Sequence, residues 1–347
     1  MEEIEGLVSV VLPIRQWQAS THLAVQSILD QSYRNIELLL IGQKCLNPLS
    51  AGLHSAQITD ERIRLISRQS PGITGALNTG LAKSRGEYIA RMDDDDIAYP
   101  QRLDIQLHYL HEHPQITLCA GGVRFVDNTG CSINVGAGNK RYANWLNQLT
   151  DPQAIALACY AENPMPHPTL LARRTIWKQL EGYREIDGPE DHDLILRAML
   201  KGIRMGKPSA VVLDWRDHDA RLTRTDTRYR REAFVALSAQ ALTQDHNALA
   251  GRPGRAVWIA GTGKQARNWH DELTALGVTV RGFVDVARPS SNRKKRQLVV
   301  ITYEQLTEQR SDALLLCAVT QPAGRDAIRQ FCHRQSWQEG TDFIMGS

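Results

Sequence analysis

Short apolar runs rich in β-branched residues alternate with helix-patterned stretches twice along this chain, and few folds accommodate that pattern. Leu7-Val8-Ser9-Val10-Val11-Leu12, ended by Pro13, has the continuous apolar character of a strand buried on both faces. Ser20 or Thr21 can cap a helix running to Leu29, whose Leu23, Val25, Ile28 and Leu29 mostly share one face. Ile36 to Ile41 and Ile63 to Ser67 repeat the strand pattern, Gly72 to Lys83 the helical one, and Gly86 to Ala90 reads as a fourth strand. Such alternation predicts a mostly parallel sheet with helices on both faces, whose ligands bind beyond the carboxyl ends of the strands.

Residues 101–235 are less regular. A helix from Arg102 to His111 and a strand near Thr117 to Val126 precede a polar stretch at Gly136 to Lys140. A helix near Ala154 to Tyr160, the proline-spaced Pro164-Met165-Pro166-His167-Pro168 and a helix over Arg228 to Leu249 follow. Gly251-Arg252-Pro253-Gly254 then punctuates a boundary. The alternation resumes with strands at Val257–Ala260, Val278–Val284, Leu298–Ile301 and Ala313–Val319, separated by helices at Lys264–Leu276, Thr302–Gln309 and Pro322–Gln335. The expected organisation is an α/β domain over residues 1–235, a helical linker over 236–252 and a small doubly wound α/β domain over 253–347.

At 347 residues the chain is long enough for two cores, and 42% hydrophobic with 23% charged residues is ordinary for a soluble protein. A net charge of +3 is too mild to argue for nucleic acid. Basic residues gather at Arg221–Arg224, Arg228–Arg231 and Arg293–Arg296, as solvated loops or as faces toward an anionic membrane or phosphorylated acceptor. The six cysteines form no CxxC pair, which suits reduced thiols of the cytoplasm. Acidic residues precede the short run Leu7–Ile14 where a signal peptide would be basic, and no apolar run approaches the roughly 20 residues that cross a bilayer. A soluble cytoplasmic protein is expected, at most peripheral on the inner membrane face and without an evident amphipathic anchor.

The chemistry concentrates in Asp93-Asp94-Asp95-Asp96, directly behind an apolar strand. Carboxylates this close repel and raise one another's pKa, an arrangement that a divalent cation relieves. Magnesium or manganese takes one or two carboxylates together with substrate phosphate oxygens, which points to a phosphorylated donor. A solvated acidic turn is the plainer alternative. Two further groups, Glu190-Asp191-His192-Asp193 and Trp215-Arg216-Asp217-His218, lie downstream.

Taken in order, the blocks Val8–Pro13, Ser27–Tyr33 with Ile36-Glu37, Gly75–Leu81 running into Arg85–Ile89, Asp93–Asp96, His167-Pro168-Thr169, Glu190–Leu194 and Trp215–His218 resemble the family 2 glycosyltransferases, inverting enzymes of the GT-A fold. The resemblance covers roughly residues 6–235. It implies transfer of a sugar from a nucleoside diphosphate, with Mn2+ or Mg2+, to a hydroxyl of a cell-surface glycan or lipid-linked saccharide during polysaccharide synthesis. Asp93 and Asp95 match the outer acids of the family's DxD: Asp95 would ligate the metal, and Asp93 would face the donor ribose or share the ion. Asp94, Pro13 and Asn78 fall on the donor side, while Asp96 is expected to orient backbone. His218 matches a histidine that can complete the metal site or touch the diphosphate, and His167 falls on the acceptor side. Arg216, Arg221 and Arg224 are candidates for the diphosphate or the acceptor, since guanidinium pairs bidentately with phosphate, with a surface salt bridge as the plainer alternative for each. Asp191 is the candidate base, with Glu190 beside it, although acids here also suit a helix N-terminus.

One block departs from the family. Where the family carries Asp-Asp-Gly-Ser after the second strand, with its second acid reading uracil, this chain has Gly42-Gln43-Lys44-Cys45. The Gln43 amide can accept the uracil N–H and also donate, so UDP remains the first expectation and another base stays open.

In the second half, Gly261-Thr262-Gly263-Lys264-Gln265-Ala266 between strand and helix, with Asp285 closing the next strand, fits the G-x-G-x-x-A dinucleotide fingerprint. It resembles small Rossmann-like domains attached to sugar-modifying enzymes, for which a structural, oligomerisation or regulatory role is expected. Two alternatives remain open. A sugar nucleotidyltransferase would need a glycine-rich loop after the first strand, whereas Pro13-Ile14-Arg15-Gln16-Trp17 has no glycine. A non-catalytic nucleotide sensor would use the Gly261/Gly263/Asp285 site and leave the first domain degenerate.

Overall fold

The structure is a computed structural model that describes residues 3–132, 135–219, 221–286, 294–308 and 312–346. The chain forms two compact units that do not follow sequence order. One gathers residues 1–155, 164–186 and 201–225; the other gathers 156–163, 187–200 and 226–347. The contiguous division expected near residues 235 and 253 therefore differs from the observed one, because residues 156–163, 187–200 and 226–235 of the expected first domain group with the second unit.

Among the described residues the first unit holds ten strands: β1 (Ile4–Pro13), β2 (Ile36–Gly42), β3 (Ile63–Ser67), β4 (Gly86–Arg91), β5 (Ile97–Ala98), β6 (Leu118–Cys119), β7 (Gly122–Val126), β8 (Leu171–Arg173), β9 (Met205–Gly206) and β10 (Val211–Arg216). Seven form one sheet in the order β3-β2-β1-β4-β8-β6-β9, and β5-β10-β7 form a smaller one. Val10 lies opposite Leu38 and Ala90 in parallel register, and only β8 runs against its neighbours. This is the expected mostly parallel sheet. Val8, Val10 and Leu12 of β1 pack with Val25, Ile28 and Leu29 of the helix Ala19–Leu29, each fully buried side chain contributing about 1.5–3 kcal/mol. That helix begins two or three residues earlier than Ser20 or Thr21 capping would give: the Gln18 N–H donates to Thr21 Oγ1 in a capping box. On the sheet's other side the helix Gly72–Lys83 lies so close that a Cβ at Gly80 would meet Val11 Cγ1 at 2.3 Å.

Three segments differ from expectation. The run near residues 117–126 divides between the two sheets, and Gly121 permits the switch, since a Cβ there would meet Val212 Cγ2 at 2.2 Å. The polar stretch at 136–140 opens a helix, Ala137–Gln148, seated on the core through Ala143 and Leu146. The helix expected over 228–249 is shorter, Arg231–Gln244, because Asp226 first caps a 3-10 turn at Thr227–Tyr229.

The second unit carries β11 (Val257–Ala260), β12 (Val280–Val284), β13 (Lys294–Lys295), β14 (Leu298–Ile301), β15 (Leu314–Cys317) and β16 (Phe343–Met345). Their order is β13-β14-β12-β11-β15-β16, parallel apart from the β13–β14 hairpin. Strand order reverses between β12 and β15 at β11, so the turn after β11 is a topological switch point. All six cysteines are free thiols, and no helix among the described residues is long and apolar enough to cross a membrane.

Candidate active site

The aspartate quartet is one of the links between the two sheets of the first unit. It leaves the carboxyl end of β4 and enters β5, which pairs antiparallel with β10. Two positions beyond β10, His218 is delivered back to the quartet, where its Nε2 meets Asp95 Oδ2 at 2.7 Å. Asp93, Asp95 and Asp96 each offer an oxygen within 4.8 Å of the others. Asp96 is fully buried; the Arg216 backbone N–H donates to one of its oxygens at 2.8 Å, while its other oxygen has no hydrogen-bond partner. Asp96 thus orients backbone as expected and also belongs to the acid cluster, which sequence reasoning did not assign to it. Arg91, buried at the end of β4, pairs with Asp93 through both guanidinium nitrogens.

The electrostatics divide these acids. Burial pushes the Asp94 carboxyl up to about 8, and the Asp95 and Asp93 charges add to that. Asp96 is driven well above the carboxylate range by burial and then by Asp95 and Asp93. Asp93 is raised by burial and by Asp95, against the pull of Arg91. Asp95 goes the other way: burial raises it, but the His218 hydrogen bond and the His218, Arg221 and Arg91 charges outweigh burial. Asp93 and Asp95 keep 30% and 28% of their side chains exposed, so a small cation can reach them. Three crowded carboxylates with an imidazole, one oxygen left unpartnered, form a donor set that fits a divalent ion.

The other expected donor-side residues are spread along the carboxyl edge of the same unit. Pro13 ends β1 opposite Ile41, and exposed Gln43 follows β2, its amide donating to the Arg15 carbonyl at 3.2 Å. Asn78 is a clamp: its Nδ2 donates to the Tyr183 carbonyl at 2.8 Å and its Oδ1 accepts the Tyr183 N–H at 2.9 Å. It borders a cleft of about 460 Å³ lined by Gln69, Ser70, Pro71 and Glu185, none of them members of the acid cluster. Arg224 pairs with Asp217 at 2.6 Å and Asp219 at 2.9 Å. Arg221 instead lies over the Trp215 ring, 4.8 Å from its centroid. His167 is buried against the Tyr183 hydroxyl at 2.8 Å, and burial, then the Arg91 charge, pushes its pKa well down, so it stands neutral.

In the second unit, Glu190 and Asp191 open the helix Glu190–Leu200. The Tyr229 hydroxyl reaches both Glu190 oxygens, at 3.0 and 2.7 Å. Asp191 Oδ1 accepts the His192 N–H at 2.8 Å, and its Oδ2 accepts Asn163 Nδ2 at 2.9 Å. The helix-N-terminus reading of these acids holds alongside any chemical one.

Residues 9–162 match the sequence profile of glycosyl transferase family 2. EpsE of Bacillus subtilis (strain 168), a glycosyltransferase by name, is 30% identical over 202 residues, spanning 57% of this chain and 68% of its own length. The chain belongs to glycosyl transferase family 2. The O-antigen biosynthesis glycosyltransferase WbnJ of Escherichia coli is 26% identical over 238 residues, 67% of this chain and 89% of WbnJ. The structure of S. aureus TarS 1-349 in complex with UDP-GlcNAc shares the fold, with a TM-score of 0.51 at 14% identity, over 70% of this chain and 67% of that one. This chain therefore spans about two thirds of EpsE and of that TarS structure.

The acid cluster lies within the residues that carry the family match, whereas β11 to β16 lie outside them. There Gly261, at φ +104°, makes the turn after β11, and a Cβ on it would come within 3.2 Å of Val319 Cγ2. Gly263 caps the helix Lys264–Ala275, and Thr262 Oγ1 donates to Asp285 Oδ2 at 2.9 Å. Within the basic segments, ion pairs join Arg228 to Asp226, Arg230 to Asp187 and Arg296 to Asp271. Arg293 lies outside the described residues. Sequence reasoning missed Arg91, Asn163 and Tyr229. Only Arg91 had a signal, its place at the end of a strand two residues before the quartet.

Proposed function

We propose that this family 2 glycosyltransferase is an inverting, metal-dependent enzyme that moves a sugar from a nucleoside diphosphate to a hydroxyl of a glycan or lipid-linked saccharide. The observation that carries the reading is the cluster of Asp93, Asp95 and Asp96 with His218 at the carboxyl end of β4. Asp95 and Asp93, with His218 or Asp96 completing the set, would hold Mn2+ or Mg2+. When bound, the ion neutralises charge that builds on the departing nucleoside diphosphate. Arg221 and Arg216 would lie on the diphosphate side, and Pro13 and Gln43 on the nucleoside side. Asp191 takes the acceptor hydroxyl proton as that oxygen attacks the anomeric carbon from the face opposite the leaving group. UDP-GlcNAc, the ligand in the TarS structure, is the first donor to test, with GDP- and dTDP-sugars beside it because of Gln43.

The test is a thermal-shift screen of nucleoside diphosphates with and without Mn2+, since a ligand of the native state raises Tm. A shift that requires both nucleotide and Mn2+, and that Asp95→Asn abolishes, supports the reading. Nucleotide binding indifferent to Mn2+ and to Asp95 would sink it. Asp191→Asn should keep donor binding and lower transfer by about a hundredfold or more.

A further inference from the structure

The charges of Arg91, Arg102 and Arg221 reach the aspartate quartet, and His218 bonds Asp95 directly. Arg221 lies over Trp215, and Arg102 donates to the Arg91 carbonyl at 2.6 Å and to Gln106 Oε1 at 3.1 Å. Of these arginines, Arg91 is the one that forms an ion pair with the quartet, placing one terminal nitrogen on each Asp93 oxygen. It ends β4 at 5% exposure, and its Nε finds no acceptor. At that burial water screens the pair weakly, and a guanidinium cannot shed its proton to make way for another cation. The cluster is still short of positive charge. Asp93, Asp95 and Asp96 offer oxygens within 4.8 Å of one another, and one oxygen of fully buried Asp96 has no hydrogen-bond partner. A divalent ion entering there must share Asp93 with a fixed positive charge, and like charges so placed repel. The same fixed charge attracts an anion.

We propose that Arg91 is a built-in counter-ion of the acid cluster: it weakens the hold of the nucleotide-free cluster on a divalent cation and strengthens the hold on a nucleoside diphosphate, so that the two fill the site as a pair. This rests on the metal reading of Asp93, Asp95 and Asp96. A guanidinium that merely braced Asp93 would act in the other direction, because its loss would misplace a ligand and weaken cation binding. The sign of the effect therefore separates the two roles.

Full-length wild type, Arg91→Met, Arg91→Lys and Asp95→Asn are compared at pH 7.5, with thermal melting to establish folding. Free Mn2+ is read by electron paramagnetic resonance as each protein is titrated without nucleotide. UDP, GDP and dTDP are titrated by calorimetry at saturating Mn2+. Arg91→Met should bind Mn2+ about tenfold or more tightly than wild type, and the best wild-type nucleotide about threefold or more weakly. Arg91→Lys keeps the charge and should stay within about threefold of wild type on both readouts. Mn2+ binding that is unchanged, weakened or undetectable in folded Arg91→Met overturns the proposal, and so does nucleotide binding that does not weaken. Mn2+ binding by Arg91→Met that survives Asp95→Asn in the same chain would instead remove the metal reading. Should Arg91→Met not fold, the ion pair is removed whole in the double variant Arg91→Met, Asp93→Asn, since replacing both partners of a buried pair is tolerated far better than stranding one. Its Mn2+ affinity should stay within about threefold of wild type, because the guanidinium and the carboxylate it cancels leave together; a fall of about tenfold or more overturns the proposal.

Discussion

Glu37 offers the sharpest test of how the first unit holds its carboxyl edge in place. It is 2% exposed in β2, and it accepts from Ser9 Oγ at 2.5 Å, the Arg85 N–H at 2.7 Å, Arg85 Nε at 2.9 Å and Arg64 Nη1 at 2.5 Å. One carboxylate thereby ties β2 to β1 and to the start of β4, whose far ends carry Gln43, Pro13 and Asp93. Glu37→Gln keeps the shape and removes the charge. Breaking a fully buried pair costs about 3–5 kcal/mol. Here Arg64 and Arg85 keep 26% and 43% of their side chains in water, which reduces the cost to about 2 kcal/mol. Amide hydrogen exchange in peptides covering β1 and β2 should then accelerate by roughly thirtyfold at pH 7, since about 1.4 kcal/mol is a factor of ten. The pH dependence has a definite sign. Burial raises the Glu37 pKa, but the Ser9, Arg85 and Arg64 interactions outweigh it, so the folded value lies below the ordinary one. The stabilisation is therefore complete above the unfolded carboxyl's pKa of about 4.3 and is lost as pH falls through the lower folded value. The ratio of variant to wild-type exchange should shrink toward unity in acid. An unaccelerated variant at pH 7, or a ratio that stays constant into acid, would refute the reasoning.

Three further outcomes are expected. Asp95→Asn should eliminate Mn2+-dependent heat in calorimetry with a nucleoside diphosphate while leaving Tm within a few degrees, because its side chain is partly exposed; retention of that heat would move the metal elsewhere. Gly80→Ala should destabilise the first unit by about 1–3 kcal/mol, because its Cβ would stand 2.3 Å from Val11 Cγ1, and an unchanged melting curve would contradict that packing. If the turn at Gly261 and Gly263 takes a dinucleotide, NAD or NADP should give heat with the full chain, and Gly261→Val should abolish it; identical heats from both proteins would exclude that turn as the site.

What was legible in the sequence is what local pattern determines. The strands β3, β11 and β14 and the helix Gly72–Lys83 have the bounds that their apolar spacing predicts. The helix Ala137–Gln148 was hidden because only Ala143 and Leu146 of it are buried, too narrow a stripe among polar residues. Thr117 to Val126 reads as one strand because nothing local announces that Gly121 carries the chain from one sheet to another. The acid cluster was legible as a run, yet the place of Asp96 in it depends on Arg216, which lies far along the chain. Asn163 and Tyr229 have no local signal: each reaches a carboxylate on a helix distant in sequence.

The two acidic groups are built on opposite electrostatic plans, and this argues for dividing the chemistry between them. Around Asp93 to Asp96 the fold crowds carboxylates until Asp94 and Asp96 are pushed far up, and it leaves one Asp96 oxygen without a hydrogen bond. Such a site gains most from a multiply charged cation, because one ion relieves several repulsions together. Around Asp191 the fold supplies N–H donors from His192 and Asn163, which favour the anion. A cation bound there would compete with the acceptor's proton, whereas an anion is what proton removal requires. Chelating the metal should therefore abolish donor binding yet leave the Asp191 titration where it was, and a midpoint that moved on chelation would mean that the two groups are not separate in function.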